Sequence, residues 1–404
     1  MESSGARGWK PDIVSMEFIS NPYPVYRRIR AASPVYLSDD VGGYMLTRHQ
    51  DCDYILSNPS FGKDFERRIE TEISRQNKLK DGDSIVPFSK SMLFLDPPNH
   101  TRLRQLVSKA FTPGAVERIR PFVENLARDL LRSADRREYD IMNEYAGPLP
   151  AFTIARMLGV PSKDMKRFKE WSEKAVLSLD ATRPREDMIA AARATSELGA
   201  YFASLIDERR NSKSDDLLNS LISAEESGDR LNREELLSMC ILLLIAGHET
   251  TTNLIGNGFL ALMRNREQMQ LLCDDRSLLR SAIEEFLRYD PPVQMVARGV
   301  MADSILSGHP VSSGSKVIAV IGAANRDPEV FENPDRLDIT RKNNRHLSFS
   351  KGIHYCLGAQ LAKLEGEIAI NALLDGMPNA RIAQEPVWRN NANLRGMESL
   401  LVTT

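Results

Sequence analysis

Apolar positions along most of this chain recur at helical spacing. From Val116 they fall at Ile119, Phe122, Val123, Leu126 and Leu130, a stripe that predicts a helix with one face turned to a core. A longer run begins near Asn232, where Asn232 and Glu235 stand at the spacing of a reciprocal N-terminal cap. It continues through MCILLLIAGHETTTNLIGNGFLALM to about Met263 and is apolar nearly all round. At ~1.5 Å per residue such a helix is roughly 45 Å long, so the pattern predicts a rod buried at the centre of the molecule.

Alternating patterns are scarce. SPVYLS at 33–38, GYMLT at 43–47 after a Gly-Gly turn, and SKVIAVIGAA at 315–324 after the turn-rich SGHPVSSG read as short strands. Helical stretches far outnumber them, and no internal repeat or low-complexity segment interrupts the pattern. NKLKDGDS at 77–84 and ERRNSKSDD at 208–216 read as surface loops rather than linkers. The expected architecture is mainly α with a small β region, folded as a single domain over 1–404.

Composition narrows the class. The 404 residues are 42% hydrophobic and 27% charged, as in a soluble globular protein with a large core. A net charge of −2 gives no general attraction to nucleic acid or to an anionic membrane. The most apolar run, Ile241 to Ala246, is too short to span a bilayer, and the start MESSGARGWKPD lacks the apolar centre of a signal peptide. A cytoplasmic protein without a membrane anchor is expected. The four cysteines, at 52, 240, 273 and 356, make no CxxC pair and no Cys/His cluster. That argues against zinc and fits a reducing compartment.

The last of them stands in an unusual setting, HLSFSKGIHYCLGAQLA at 346–362. Leu357, Leu361, Leu364 and Ile368 follow at helical spacing, so Cys356 sits at a helix N-terminus, where unpaired N–H groups and the dipole favour a thiolate. Gly352 and Gly358 let the backbone pass close to a flat ligand, and Phe349 offers an aromatic face. These are the requirements of a thiolate ligand to haem iron. A lone cysteine is otherwise most often a small buried hydrophobe.

FSKGIHYCLG resembles the haem-binding loop of the cytochrome P450 superfamily, F-x-x-G-x-H-x-C-x-G, and four further motifs in order support the likeness. AGHETT at 246–251 is similar to the family's oxygen-activation motif: Ala246 lies beside the haem, and Glu249 and Thr250 place an acid next to an alcohol that relays protons. The alternative for the threonines is a hydroxyl bonded back to the preceding turn. EFLR at 285–288 matches E-x-x-R, so the resemblance implies that Glu285 and Arg288 join Arg336 of NPDRLD in a buried structural network. The family usually carries Phe where this chain has Leu337. DPPNHTRLR at 96–104 sets His100 and Arg104 at i, i+4, and with Arg298 of MVARG and His354 of the cysteine loop these match the family's groups for the haem propionates. The resemblance runs from NPYPVYRRIR at 21–30 to RGMESLLV at 395–402. One departure is Ser350, where the family commonly has glycine; a positive φ there would strain serine.

The resemblance implies a haem-thiolate monooxygenase with haem b held by Cys356, which inserts one atom of O2 into an apolar small molecule. It is most similar to soluble bacterial enzymes of secondary metabolism, in the style of the macrolide-hydroxylating and the biotin-pathway fatty-acyl-cleaving groups. By family position Ile245, Ala246, Val293 and Leu394 line the pocket, and the segment from Phe61 to Met92 forms a lid. No flavin or iron–sulfur segment is legible, so electrons are expected from a separate ferredoxin or flavodoxin with its NAD(P)H reductase. Arg341, Lys342, Arg345 and Lys351 either steer that donor or are simply solvated surface charges. Two alternatives are a peroxide-driven peroxygenase, a branch without the acid–alcohol pair, and a haem sensor or carrier, which needs no proton relay.

Overall fold

The computed structural model describes residues 10–63, 91–132, 138–179, 185–210, 216–226 and 231–403. Its axis is the helix Arg233–Arg264, 32 residues long. The capping pair read from the sequence starts it: Asn232 Oδ1 accepts the Glu235 N–H at 2.9 Å, and a Glu235 carboxylate oxygen accepts the Asn232 N–H at 3.0 Å. The helix satisfies its own backbone and turns apolar side chains in every direction, so it is stable only when wrapped. The helices Pro148–Met157, Met165–Ala175, Arg185–Arg209, Leu279–Tyr289 and Ala359–Gly376 pack against it. Leu236, Cys240, Ile241, Leu244, Ile255, Phe259 and Leu262 are completely buried, each large aliphatic contributing about 1.5–3 kcal/mol by leaving water. By length and hydropathy this helix could cross a bilayer, but 83% of its most apolar window is buried inside the fold. It is a core element.

The stripe beginning at Val116 forms the helix Pro113–Arg132, which lies against Ala359–Gly376. Val116 and Val123 are fully covered, while Ile119, Phe122, Leu126 and Leu130 pack on the same core from its edge.

The three expected strands all form, shorter than their sequence patterns. Val35–Ser38, Gly43–Leu46, Lys316–Val320, Met295–Val300 and Phe61–Gly62 lie in that order in one sheet, with only the Gly43–Leu46/Lys316–Val320 pair parallel. The apolar pattern of 315–324 changes period part-way, and the chain passes from the strand into a helical turn at Ile321–Ala324. A second hydrophobic cluster, with Val35, Leu46, Ile55, Val317 and Leu347, underlies this sheet.

Two expectations need correction. The stretch 208–216 is not wholly loop, because the helix Arg185–Arg209 continues into it. Arg209 then holds the chain by pairing with Asp216 at 2.9 Å and donating to the Gly159 carbonyl at 2.7 Å. Of the expected lid, Phe61 is an edge strand residue, and Met92 lies in the short 3-10 turn Met92–Phe94. Residues 64–90, with the loop expected at 77–84, lie outside the described residues.

Candidate active site

The cysteine loop folds back upon itself before the helix Ala359–Gly376 begins. The Asn325 side chain accepts the Leu347 N–H at 2.8 Å, Ser350 N–H donates to Leu347 O at 2.8 Å, and Cys356 N–H donates to Phe349 O at 2.8 Å. Gly352 has φ +64°, and a Cβ there would stand 2.9 Å from the Leu56 carbonyl oxygen. The structure therefore gives Gly352 a packing reason against the helix His49–Ser57, rather than a reason facing a ligand. Gly358, the N-cap, is the open one, for a Cβ would meet no atom within 4 Å. Ser350 does adopt φ +60°, and its hydroxyl is buried without a partner. The strain expected of serine is present.

Of the four cysteines, Cys52 and Cys240 are buried, Cys273 is half-buried and Cys356 is exposed. Desolvation around the Cys356 sulfur nevertheless raises its pKa, while the Gly358 N–H, Arg104 and Lys363 pull it down. The helix N-terminus thus acts in the expected direction but does not outweigh burial. Phe349 packs near the Tyr355 ring with Lys363 Nζ 5.2 Å from its own centroid.

Beside this loop the fold gathers two arginines and two imidazoles from three places. The helix Asn99–Ser108 supplies His100 and Arg104, the strand Met295–Val300 supplies Arg298, and the loop itself supplies His354. The His100 and His354 rings lie 4.4 Å apart, and Arg104 donates to the Tyr355 carbonyl at 2.6 Å, next to Cys356. His100 is 2% exposed, yet neither ring nitrogen has a hydrogen-bond partner. Burial, with His354 and Arg104 nearby, pushes its pKa down to about 4. Burial likewise lowers that of His354, with Arg298 and Lys63 adding to it; Asp96 acts against them from 3.9 Å, beyond hydrogen-bond range. A buried imidazole without partners is costly. It fits a site for anionic ligand groups.

On the central helix, Ala246 is exposed and Thr250 partly so, whereas Ile245, His248 and Glu249 are buried. Thr250 Oγ–H donates to Ala246 O at 2.8 Å, the back-bond weighed from the sequence, and the helix runs on without interruption. Glu249 faces away from that open side. Its carboxylate forms an ion pair with Arg389 and accepts from Asn253 Nδ2 at 3.3 Å. Ile245 is 1% exposed and packs in the core. Val293 is more open, and it is bridged to the covered Leu394.

Residues 174–376 match the family described as Cytochrome P450. The Polyketide biosynthesis cytochrome P450 PksS of Bacillus subtilis is 39% identical over 96% of this chain and 96% of its own. The chain belongs to the cytochrome P450 family. The Biotin biosynthesis cytochrome P450 of the same organism is 38% identical, over 96% of this chain and 98% of its own. The solved structure of P450BioI in complex with hexadec-9Z-enoic acid ligated Acyl Carrier Protein superposes with a TM-score of 0.88 at 37% identity, covering 96% of this chain and 100% of that one. The protein is therefore a haem monooxygenase, and its cofactor is haem with an axial cysteine thiolate. The cluster of arginines and imidazoles, the partnerless His100 and the open space over Gly358 fit that dianionic, flat group.

This P450 buries the E-x-x-R pair completely. Arg288 meets both carboxylate oxygens of Glu285 at 2.8 Å. The guanidinium then reaches Asn325 O, Pro334 O and Arg336 O at 2.7–3.0 Å. Arg336 thus joins the network through its backbone carbonyl. The cation that pairs with Glu285 a second time is Arg341, at 3.1 Å, with Asn344 and the Asp338 N–H completing the carboxylate's partners. Arg341 is consequently withdrawn from the donor-steering patch. Lys351 is tied to Asp53, and Lys342 and Arg345 remain exposed.

Sequence reasoning missed Arg389 and Asn253. Asn253 was signalled: Glu249, Asn253 and Asn257 recur every four residues on an otherwise apolar helix, a polar row requiring partners. Arg389 lies 140 positions from Glu249 in no motif.

Proposed function

We propose that this P450 binds haem b through Cys356, with His100, Arg104, Arg298 and His354 facing its carboxylates. It inserts one atom of O2 into an apolar small molecule of fatty-acyl or polyketide kind. The observation that carries the site assignment is His100: a buried imidazole without a hydrogen-bond partner, one helical turn from Arg104, which itself donates to the loop of the most exposed cysteine. The names of the relatives that act in polyketide and biotin biosynthesis support the substrate class, and bacterial secondary metabolism in the cytoplasm is its setting.

When bound, the haem supplies the oxygen chemistry, with thiolate donation favouring O–O cleavage. The chain supplies position and protons. The two arginines, with the two imidazoles as hydrogen-bonding partners, offset two carboxylates that would be costly to bury unpaired. Thr250 donates its hydroxyl proton to Ala246 O; in the relay that O–H turns from the carbonyl to the open side, gives up its proton there, and accepts another in its place. Glu249, one residue before it, resupplies that proton after taking one up from water, since its carboxylate is paired with Arg389 as it stands. Val293, beside Leu394, contributes to an apolar wall.

Electrons come from an acidic ferredoxin or flavodoxin with its NAD(P)H reductase. Lys342 and Arg345, exposed just ahead of the cysteine loop, are the steering charges.

The deciding experiment is the absorbance of the reduced protein under carbon monoxide. The wild type should give the strongly red-shifted band of thiolate ligation, and Cys356→Ser should lose it while Cys273→Ser keeps it. A Cys356→Ser protein that retains the band would assign the ligand elsewhere.

A further inference from the structure

The C-terminal hairpin, Val387–Trp388 paired with Met397–Ser399, is fastened to the central helix along one face. Asn257 Nδ2 donates to Arg395 O at 3.0 Å. Gly396 passes so close over Asn253 that an added Cβ would stand 1.9 Å from its side-chain oxygen. Arg389 completes the row: its Nε donates to Met397 O at 3.2 Å and its Nη1 pairs with Glu249. The hairpin is held from behind as well. Arg395 pairs with Asp290, donates to Ser20 O at 3.0 Å, and stacks 3.8 Å from the Trp388 ring. Leu394, on the same loop, is braced by the Asn391 side chain, which accepts its N–H at 2.7 Å.

Glu249 is 4% exposed at its side chain and Arg389 24%. The arginine therefore stands between the acid and water, with its own head fixed by a backbone carbonyl. A carboxylate held by a guanidinium in a mostly dry site is strongly oriented. The direction of that hold is toward the hairpin, away from Thr250.

We propose that Arg389 is a positioning residue for Glu249: it holds the carboxylate outward, and the pair must part before the acid can turn to Thr250. Arg389 thereby sets the rate of proton entry. Because it shares a hairpin with Leu394, which bridges Val293, a ligand pressing on that wall acts on the same pair. The proposal rests on the reading of Glu249 as the acid of the relay.

Two measurements test it on the full-length haem protein. In the reduced carbon monoxide form, glutamate labelled at the δ-carbon gives a carboxyl signal for Glu249, identified by its loss in Glu249→Gln. That signal should move in Arg389→Ala and return toward its wild-type position in Arg389→Lys; one position in all three proteins overturns the proposal. Secondly, NADPH oxidation through a surrogate ferredoxin and its reductase should rise roughly threefold or more in Arg389→Ala, as the freed conformer gains population. Arg389→Lys should restore it, and Arg389→Ala should add nothing in a Glu249→Gln background. An equal effect of Arg389→Ala with and without Glu249 overturns the proposal. If Glu249→Gln alone leaves oxidation unchanged, the relay reading fails instead, and positioning by Arg389 is then decided by the carboxyl signal.

Discussion

Glu285 and Arg288, three residues apart on one helix, are joined by two hydrogen bonds of 2.8 Å, and both side chains are wholly inaccessible to solvent. At a surface this pair would contribute at most about 1 kcal/mol. Buried, it is judged differently: removing one partner leaves a charge with nowhere to go, at a cost of roughly 3–5 kcal/mol. Arg288→Ala should therefore destabilise the protein by about that amount and reduce the haem retained on purification. A denaturant midpoint within experimental error of wild type would show that the pair is dispensable.

Ser350→Gly should act in the opposite direction. The serine has φ +60° and a buried hydroxyl with no partner, so glycine relieves both the left-handed strain and the orphaned donor. Offset by glycine's greater freedom when unfolded, the net gain should be about 1 kcal/mol. Thermal melting of the two proteins side by side decides it, and a lower midpoint for the glycine variant would refute the strain argument.

Thr250→Ala removes a hydroxyl on the partly open side of the central helix without disturbing a core contact. Ligand-induced spin shifts should persist at unchanged affinity, while product per NADPH falls by roughly tenfold and peroxide accumulates. Measured peroxide equal to wild type would take Thr250 out of the relay.

Glu365 introduces a pH dependence to stability. It is buried on the helix Ala359–Gly376, and desolvation lifts its pKa from 4.5 to about 8, with the Thr153 hydroxyl pulling the other way. In the fold it stays protonated at neutral pH, but in the unfolded chain it is ionised. The native state thus binds more protons, and stability falls as pH rises from the unfolded value through about 8. Glu365→Gln should flatten that fall and, at pH 7, add roughly 3 kcal/mol. Parallel stability–pH curves for the two proteins would contradict it.

Reversing Lys342 and Arg345 together to glutamate should slow reduction by an acidic ferredoxin at low ionic strength, with the difference shrinking as salt is added. Reduction by dithionite should be unaltered. Identical ferredoxin rates across the salt series would move the docking surface elsewhere.

The elements most easily read in the sequence were those whose signals are local. The capping pair at Asn232 and Glu235 set the start of the central helix to the residue, and the glycine, histidine and cysteine spacing marked the haem loop. The i, i+3 spacing of Glu285 and Arg288 was equally plain, but their burial was not, since spacing fixes a shared face and only packing decides what covers it. The errors arose where distant segments meet. Arg341 was assigned to the surface because it lies in a run of basic residues; Glu285, 56 positions away, draws it inward. Ile245 and Ala246 are neighbours in the chain, yet adjacent helix positions point about 100° apart, and one is buried while the other is exposed. Glu249 was legible as an acid needing a partner, though nothing in the chain named Arg389.

The guanidinium of Arg288 donates to carbonyls at 325, 334 and 336, and its one side-chain contact in that stretch is with the Phe331 ring, 5.4 Å from its centroid. What it reads is the path of the main chain, so the spelling of the segment is free to drift while its course is not. Leucine at 337 in place of the usual phenylalanine is one such drift, absorbed as a 1% exposed core residue. By the same logic Arg336 can change to almost any residue that keeps the turn, whereas a shift of one position in the length of the segment would unseat every carbonyl at once.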